Sequence, residues 1–255
     1  MTNRWVDIDG MHNVRDLGGV PLEGGGATAF GVVLRGETVV HLTSQGVDRF
    51  LGLGIRHVLD LREPDERKAD GEGLLEAAYQ RSDVLHEAVP LARSSVVDDP
   101  IGRVHDAARV GDRYAAYLHN GGFRLADALA RTAWSRCALY VHCAVGKDRT
   151  GVVSGLLLKL AGAHDDAVVE DHLLTSERLV PVLTRLGSRP AYPHLATPDW
   201  TAQQPSEEAL RLFLEHLRAR GGAAHWLLDH GVDSETLNLL VGRLRGEPIG
   251  VRRVG

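Results

Sequence analysis

The sequence has two cysteines, no long apolar run and no run of basic residues, and each shortage closes off a class of protein. Cys137 and Cys143 cannot build a disulfide framework, which fits a reducing compartment and makes any special cysteine more a chemical than a structural one. Nor do the two suit each other as partners. A strand over residues 138–142 would hold them about 20 Å apart at roughly 3.3 Å per residue, whereas a bridge tolerates about 7 Å between Cα atoms. The longest apolar run, residues 151–163, is too short to span a bilayer. The opening MTNRWVDIDG lacks the basic region and apolar core of a secretory signal, so a cytoplasmic protein is expected. A net charge of -5 without a basic stretch argues against a nucleic-acid partner. Any anionic ligand has to be drawn by a local site.

What is there is ordinary globular composition, 44% hydrophobic and 25% charged over 255 residues, enough to bury a real core in one domain spanning 1–255. No internal repeat is visible, and the glycines at 24–26 read as a hairpin or loop tip. Residues 43–61 read as a helix capped by Thr43 or Ser44 and stopped by Gly54, followed by a buried strand from Ile55 to Leu61. Residues 121–162 repeat that logic. A helix carrying Phe123, Leu125, Leu129 and Trp134 precedes a strand at Leu139 to Val141, then comes a loop and a second helix ending at Gly162. Strands preceded by helices predict an α/β layered core.

The portion 163–245 is wholly helical in pattern, with helices expected near 165–180, 206–220, 223–230 and 234–245. The connection 181–205, PVLTRLGSRPAYPHLATPDWTAQQP, holds five of the ten prolines. A connection of that length is functional or mobile: a lid or rim over a site, or an inert surface loop, with equal weight.

The chemistry concentrates in YVHCAVGKDRTG, residues 140–151. A strand ending at His142 and a helix starting near Thr150 leave a loop whose amides converge on one point, reinforced by the positive end of the helix. Such a point binds an anion, and a cysteine at its edge shares a field that favours the nucleophilic thiolate. Gly146 allows the turn, and Arg149 supplies a planar fork for two oxygens of a phosphate. Thr150 is placed to donate its hydroxyl to the sulfur.

The stretch HCAVGKDRTG resembles the signature of the cysteine-based protein tyrosine phosphatase superfamily: cysteine, five residues, arginine, then serine or threonine. The Gly-Lys-Asp-Arg-Thr-Gly version is similar to a bacterial branch that acts on phosphotyrosine, in cases on phosphoserine or phosphothreonine, and on phosphoinositides. NVRDLGG, Asn13 to Gly19, and LTSQGVDRFLGLGIRHVLDLREPDE, Leu42 to Glu66, match that branch as well. The resemblance implies a phosphatase-like layered fold, with a central mostly parallel sheet flanked by helices and a helical C-terminal part that could serve as a lid. It implies Cys143 as a nucleophile forming a phosphocysteine intermediate. Phosphate would be bound by the amides of Ala144, Val145, Gly146, Lys147, Asp148 and Arg149 together with the Arg149 side chain. No metal or other cofactor is implied, and His142 would orient the cysteine. The partner is a phosphorylated protein or a small phosphorylated molecule. No residue fixes an oligomeric state.

The leaving oxygen needs a proton donor, and the Trp-Pro-Asp tripeptide that carries it in many relatives is absent. In this version of the loop the resemblance assigns the acid to Asp148, with Asp98 and Asp99 of VVDDP as alternatives. Lys147 reads as a second cation at the mouth, able to grip another anionic group. Asp60 and Arg62, at the carboxyl end of a strand, read as supporting groups. Asn13, Arg15 or Asp16 either pack near that edge or form a structural turn. His164, His172 and the other histidines show no metal-ligand spacing. Three rival readings remain: the same chemistry on a sugar, inositol or nucleoside phosphate in a biosynthetic pathway; a rhodanese-like sulfurtransferase, against which Arg149 and the Lys-Asp pair count; and a silent phosphate-binding module.

Overall fold

The computed structural model of the chain describes residues 3–79, 83–91 and 107–247. The chain begins with β1 (Val14–Asp16), β2 (Val33–Gly36), α1 (Ser44–Gly52) and β3 (Ile55–Asp60). Thr43 caps α1 by accepting the Gly46 amide, and Gly54 ends the unit with φ +77°, as its pattern predicts. α2 (Pro64–Asp70), α3 (Leu74–Tyr79) and β4 (Leu85–Ala88) follow. Then come α4 (Ala107–Thr132), β5 (Ala138–His142) and α5 (Asp148–Ala161), the last closed by Gly162 at φ +87°.

The five strands lie in the order β1-β2-β5-β3-β4, parallel except for β1. The α/β layering with a mostly parallel central sheet is as expected. Alternation along β5 explains why it takes the middle place. Leu139 and Val141 face one cluster and Ala138 and Tyr140 the other, all within 2% of full burial. Covering each large apolar side chain is worth about 1.5–3 kcal/mol, and only a strand with layers on both faces collects it on both. One layer is α1 and α3; the other includes α4 and α5. Pairing with β2 and β3 brings the carboxyl ends of three strands, Gly36, Asp60 and His142, to one edge. Antiparallel β1 brings its amino end, preceded by Asn13, to the same edge.

The C-terminal portion is helical, but divided differently from its pattern. The helix expected over 165–180 is α6 (Asp165–Leu173), a 3-10 turn from Leu174 to Arg178, and the start of α7 (Leu179–Gly187). Pro181 falls in the first turn of α7, where a missing amide costs no hydrogen bond, so the helix runs on through the first part of 181–205. That connection also holds the short α8 (Trp200–Gln203). α9 (Glu207–Ala219), α10 (Gly222–Asp229) and α11 (Ser234–Arg245) match their expected places. In α4, Leu125 and Leu129 are buried, whereas Phe123 is 70% exposed and Trp134, beyond the helix end, 60%. Phe123 stands two residues from Leu125 and so on the other side of the helix. The glycines at 24–26 do form a hairpin tip, with Pro21 bridged to Ala27. No described helix is long and apolar enough to cross a membrane.

Candidate active site

The loop from Cys143 to Lys147 turns its carbonyls outward, and each has a partner. The Thr38 amide donates to Ala144 O at 3.1 Å, Asn13 Nδ2 to Val145 O at 2.9 Å, Arg35 Nη2 to Gly146 O at 2.8 Å, and the Gly151 amide to Lys147 O at 2.8 Å. With the carbonyls held outside, no protein group among the described residues accepts from the amides of residues 144–149. Gly146 sits at φ +79°, and a Cβ there would lie 2.4 Å from the Gly36 carbonyl carbon, so both dihedral and space require glycine. Gly146→Ala is therefore expected to weaken phosphate binding at least tenfold, as read by isothermal titration, because the loop must shift off Gly36.

Cys143 and Arg149 are 4% and 6% exposed. Arg149 Nη1 and Nη2 donate to the Glu66 carboxylate at 2.5 and 2.8 Å, and Nη1 also to Leu61 O at 3.3 Å. A guanidinium has five N–H groups in a planar fork. With three so used, the Nε edge keeps an adjoining pair for two oxygens of a phosphoryl group. Against its burial, the Glu66 carboxylate holds the Arg149 pKa well above the ordinary value. Glu66 itself is set by a capping box with Glu63 at the start of α2. Sequence reasoning quoted Glu66 within a matching segment without giving it a role. The Glu-Pro-x-Glu cap signal was present.

His142 is fully buried, and its Nδ1 lies 3.1 Å from Cys143 O. Burial first, then the Arg62 cation, pushes its pKa down to about 4 against the pull of Asp60. The ring is neutral near pH 7, within hydrogen-bond reach of the cysteine carbonyl. Beneath it Asp60 accepts from Arg62 Nε and Nη2 at 3.0 and 2.7 Å, and Arg62 continues to Asp70 at 2.8 Å. Asp60, His86 and His142 each bring a possible ligand atom within 4.8 Å of the others. The Arg62 guanidinium already takes both Asp60 oxygens, so a fixed cation serves that carboxylate.

Asn13 and Arg15 do reach the site edge. Arg15 donates to Asn13 Oδ1 at 2.9 Å, and Asn13 to the loop. Asp16 instead holds the Gly18 and Gly31 amides, a structural turn. Behind the loop, buried Asp171 accepts from Arg4, Arg15 and Arg35 at 2.8, 3.2 and 2.7 Å.

Three expectations change. Thr150 is fully buried and its hydroxyl finds no partner among the described residues, the sulfur included. The helix starts at Asp148, two residues early, and its first turn carries the Thr150 side chain into the interior. Lys147 is 6% exposed and does not project at the mouth: its ammonium donates to Gln203 O in α8 at 2.6 Å and lies 3.6 Å from Asp148. In the connection 181–205, Leu183, Leu186, Tyr192 and Leu195 share a buried apolar cluster with Ala144 of the loop. Asp98 and Asp99 lie outside the described residues.

The sequence profile of the tyrosine phosphatase family matches residues 6–246, and the chain belongs to that family. A Cupriavidus necator protein named as a tyrosine-protein phosphatase is 30% identical over 178 residues, 67% of this chain and 63% of that one. A tyrosine-protein phosphatase of Nostoc commune is 30% identical over 54% of this chain and 46% of that one. The chain thus matches less than two thirds of the length of these two relatives. The triple specificity protein phosphatase PtpB of Mycobacterium tuberculosis is 25% identical over 94% of this chain and 99% of that one.

Proposed function

We propose that this protein hydrolyses phosphomonoesters of the phosphotyrosine type, with phosphoserine, phosphothreonine and phosphoinositides within reach, through a phosphocysteine intermediate. The observation that carries the proposal is the outward pinning of four loop carbonyls by Thr38, Asn13, Arg35 and Gly151, which leaves the amides of residues 144–149 as donors around Cys143. Those amides and the open edge of Arg149 match three equatorial phosphoryl oxygens, and such fixed donors stabilise the charge of the transition state without reorganising. The name of the mycobacterial relative, which aligns along nearly the whole chain, supports the breadth of substrate.

In the first step the Cys143 sulfur bonds to phosphorus as the ester P–O bond breaks, and Asp148 gives its proton to the leaving oxygen. In the second, Asp148 takes a proton from water, whose oxygen attacks phosphorus and releases the sulfur. In the free protein Asp148 is held at about 2: burial alone would raise it, but Lys147, Arg113, the Tyr114 hydroxyl and His172 more than offset that. A phosphoryl dianion bound beside it raises it again by like charge, so the carboxyl takes up its proton when substrate is present. Asp148→Asn should lower turnover of an alkyl phosphate about 10²–10⁴-fold, the range for general acid catalysis, and that of an activated aryl phosphate much less in single-turnover cleavage. Equal losses on both would remove Asp148 from the acid role.

A further inference from the structure

Tyr114 is 1% exposed on the inner face of α4, and its phenol donates to Asp148 Oδ1 at 2.5 Å. The other oxygen, Oδ2, faces Lys147 Nζ at 3.6 Å. Tyr114 is in turn seated between Tyr117, with ring centroids at 6.3 Å, and the buried ring of His172 at 6.0 Å. His172 is 1% exposed, and neither of its nitrogens has a hydrogen-bond partner among the described residues. It therefore packs as a neutral wall, pushed down to about 3 by burial first and then by Arg35.

Resting on the reading of Asp148 as the proton carrier, we propose that Tyr114 is a positioning residue: its phenol fixes one oxygen of Asp148 and leaves the other to exchange the proton with substrate and water. A carboxylate at the start of a helix has two torsions free, and proton transfer needs one oxygen within hydrogen-bond reach of the reacting atom. A donor on Oδ1 sets both torsions. It also stabilises the ionised carboxylate, the form that must receive a proton from water in the second step. The charged and titratable groups facing Asp148 among the described residues include Lys147 on its own loop, Arg113, Tyr114 and Tyr117 on α4, and His172 on α6. Of these, the Tyr114 phenol makes the shortest contact with the carboxylate.

The test is Tyr114→Phe, which keeps the ring and removes the donor, read by two measurements. The ¹³C carboxyl resonance of Asp148, identified by its loss in Asp148→Asn, is expected to stay ionised to below pH 3 in the native protein. In Tyr114→Phe its midpoint should rise by about one pH unit or more, the size of a hydrogen bond to a charged group. In kcat profiles the alkaline limb for an alkyl phosphate, which needs protonated Asp148, and the acid limb for an activated aryl phosphate, which needs ionised Asp148, should both move up by a similar amount. A role in packing alone would lower both rates and move neither limb. If resonance and limbs stay put while Asp148→Asn shows its leaving-group dependence, the Tyr114 role is overturned and the acid role stands. If Asp148→Asn shows no such dependence, the acid role falls and this inference with it. Should Tyr114→Phe not fold, the native protein decides: a midpoint for Asp148 at or above about 4, the ordinary carboxylate range, overturns the proposal.

Discussion

Cys143→Ser is expected to lower turnover by on the order of 10⁴-fold or more, as loss of a nucleophile does elsewhere, while phosphate or sulfate still binds. The two outcomes separate because the groups that hold the anion are distinct from the group that attacks it. The amides of residues 144–149 are fixed by the outward anchoring of Ala144, Val145, Gly146 and Lys147, and none of those anchors involves the sulfur. A serine hydroxyl fits the space of the thiol but has no thiolate-like form near neutral pH. Arg149→Ala should lose both properties, since the bidentate fork goes and the buried Glu66 carboxylate loses its guanidinium partner beside the anion site. Calorimetric titration with phosphate, run beside a rate assay on each variant, checks the pair. Near-native turnover by the serine variant would rule out the covalent route.

Asp171→Ala is expected to cost about 3–5 kcal/mol of stability, the range for removing one partner of a buried ion pair. This one carboxylate serves three arginines from different parts of the chain: Arg4 near the start, Arg15 in β1 and Arg35 in β2. Arg15 is pushed down to about 9 by its burial and by Arg35, even with Asp171 in place, so without the carboxylate the cluster is repulsive and dry. The loss should also reach the anion site, because Arg35 holds Gly146 O and Arg15 holds Asn13, which holds Val145 O. Urea unfolding should show the lower midpoint, and the fraction still folded in mild conditions should bind phosphate more weakly. Asp171→Asn, which keeps the shape and loses the charge, should fall between. An unchanged midpoint in the alanine variant would mean that the arginines find water or carbonyl oxygens to replace it.

The parts of this molecule that were legible in its sequence are those written in one short stretch. β5, the loop and α5 follow each other within 24 residues, so apolar alternation, glycine and an arginine six places after cysteine could be read together. The cap at Thr43 and the stop at Gly162 were legible for the same reason. The partners of the loop were not. Tyr114 reaches Asp148 because α4 packs on the face of the sheet that carries the loop, and a tyrosine among the apolar positions of a helix reads as core. Asp171 and His172 sit on α6, whose register against the loop depends on a tertiary packing no local pattern announces. Lys147 reads from the sequence as a second cation at the mouth; Gln203 O covers it from a segment 56 positions away, a contact no local pattern announces. The segment NVRDLGG matches the family pattern, yet which of its residues touch the loop depends on β1 lying antiparallel beside β2.

The span of those anchors bears on how the protein comes into being on the ribosome. Arg35 and Gly146 are 111 positions apart, and Lys147 and Gln203 another 56. When Cys143 emerges, its upstream supports are already available, but Asp171, which orders Arg15 and Arg35, and Gln203, which seats Lys147, are still unsynthesised. Contacts of such separation form late, after the entropy of closing long chain segments has been met, and domains fold as units. The Cys143 side chain thus emerges before two of the supports of its loop exist. The loop is anchored on all sides only when the segment that carries Gln203 has left the tunnel, so the enclosure of Cys143 is completed late in synthesis.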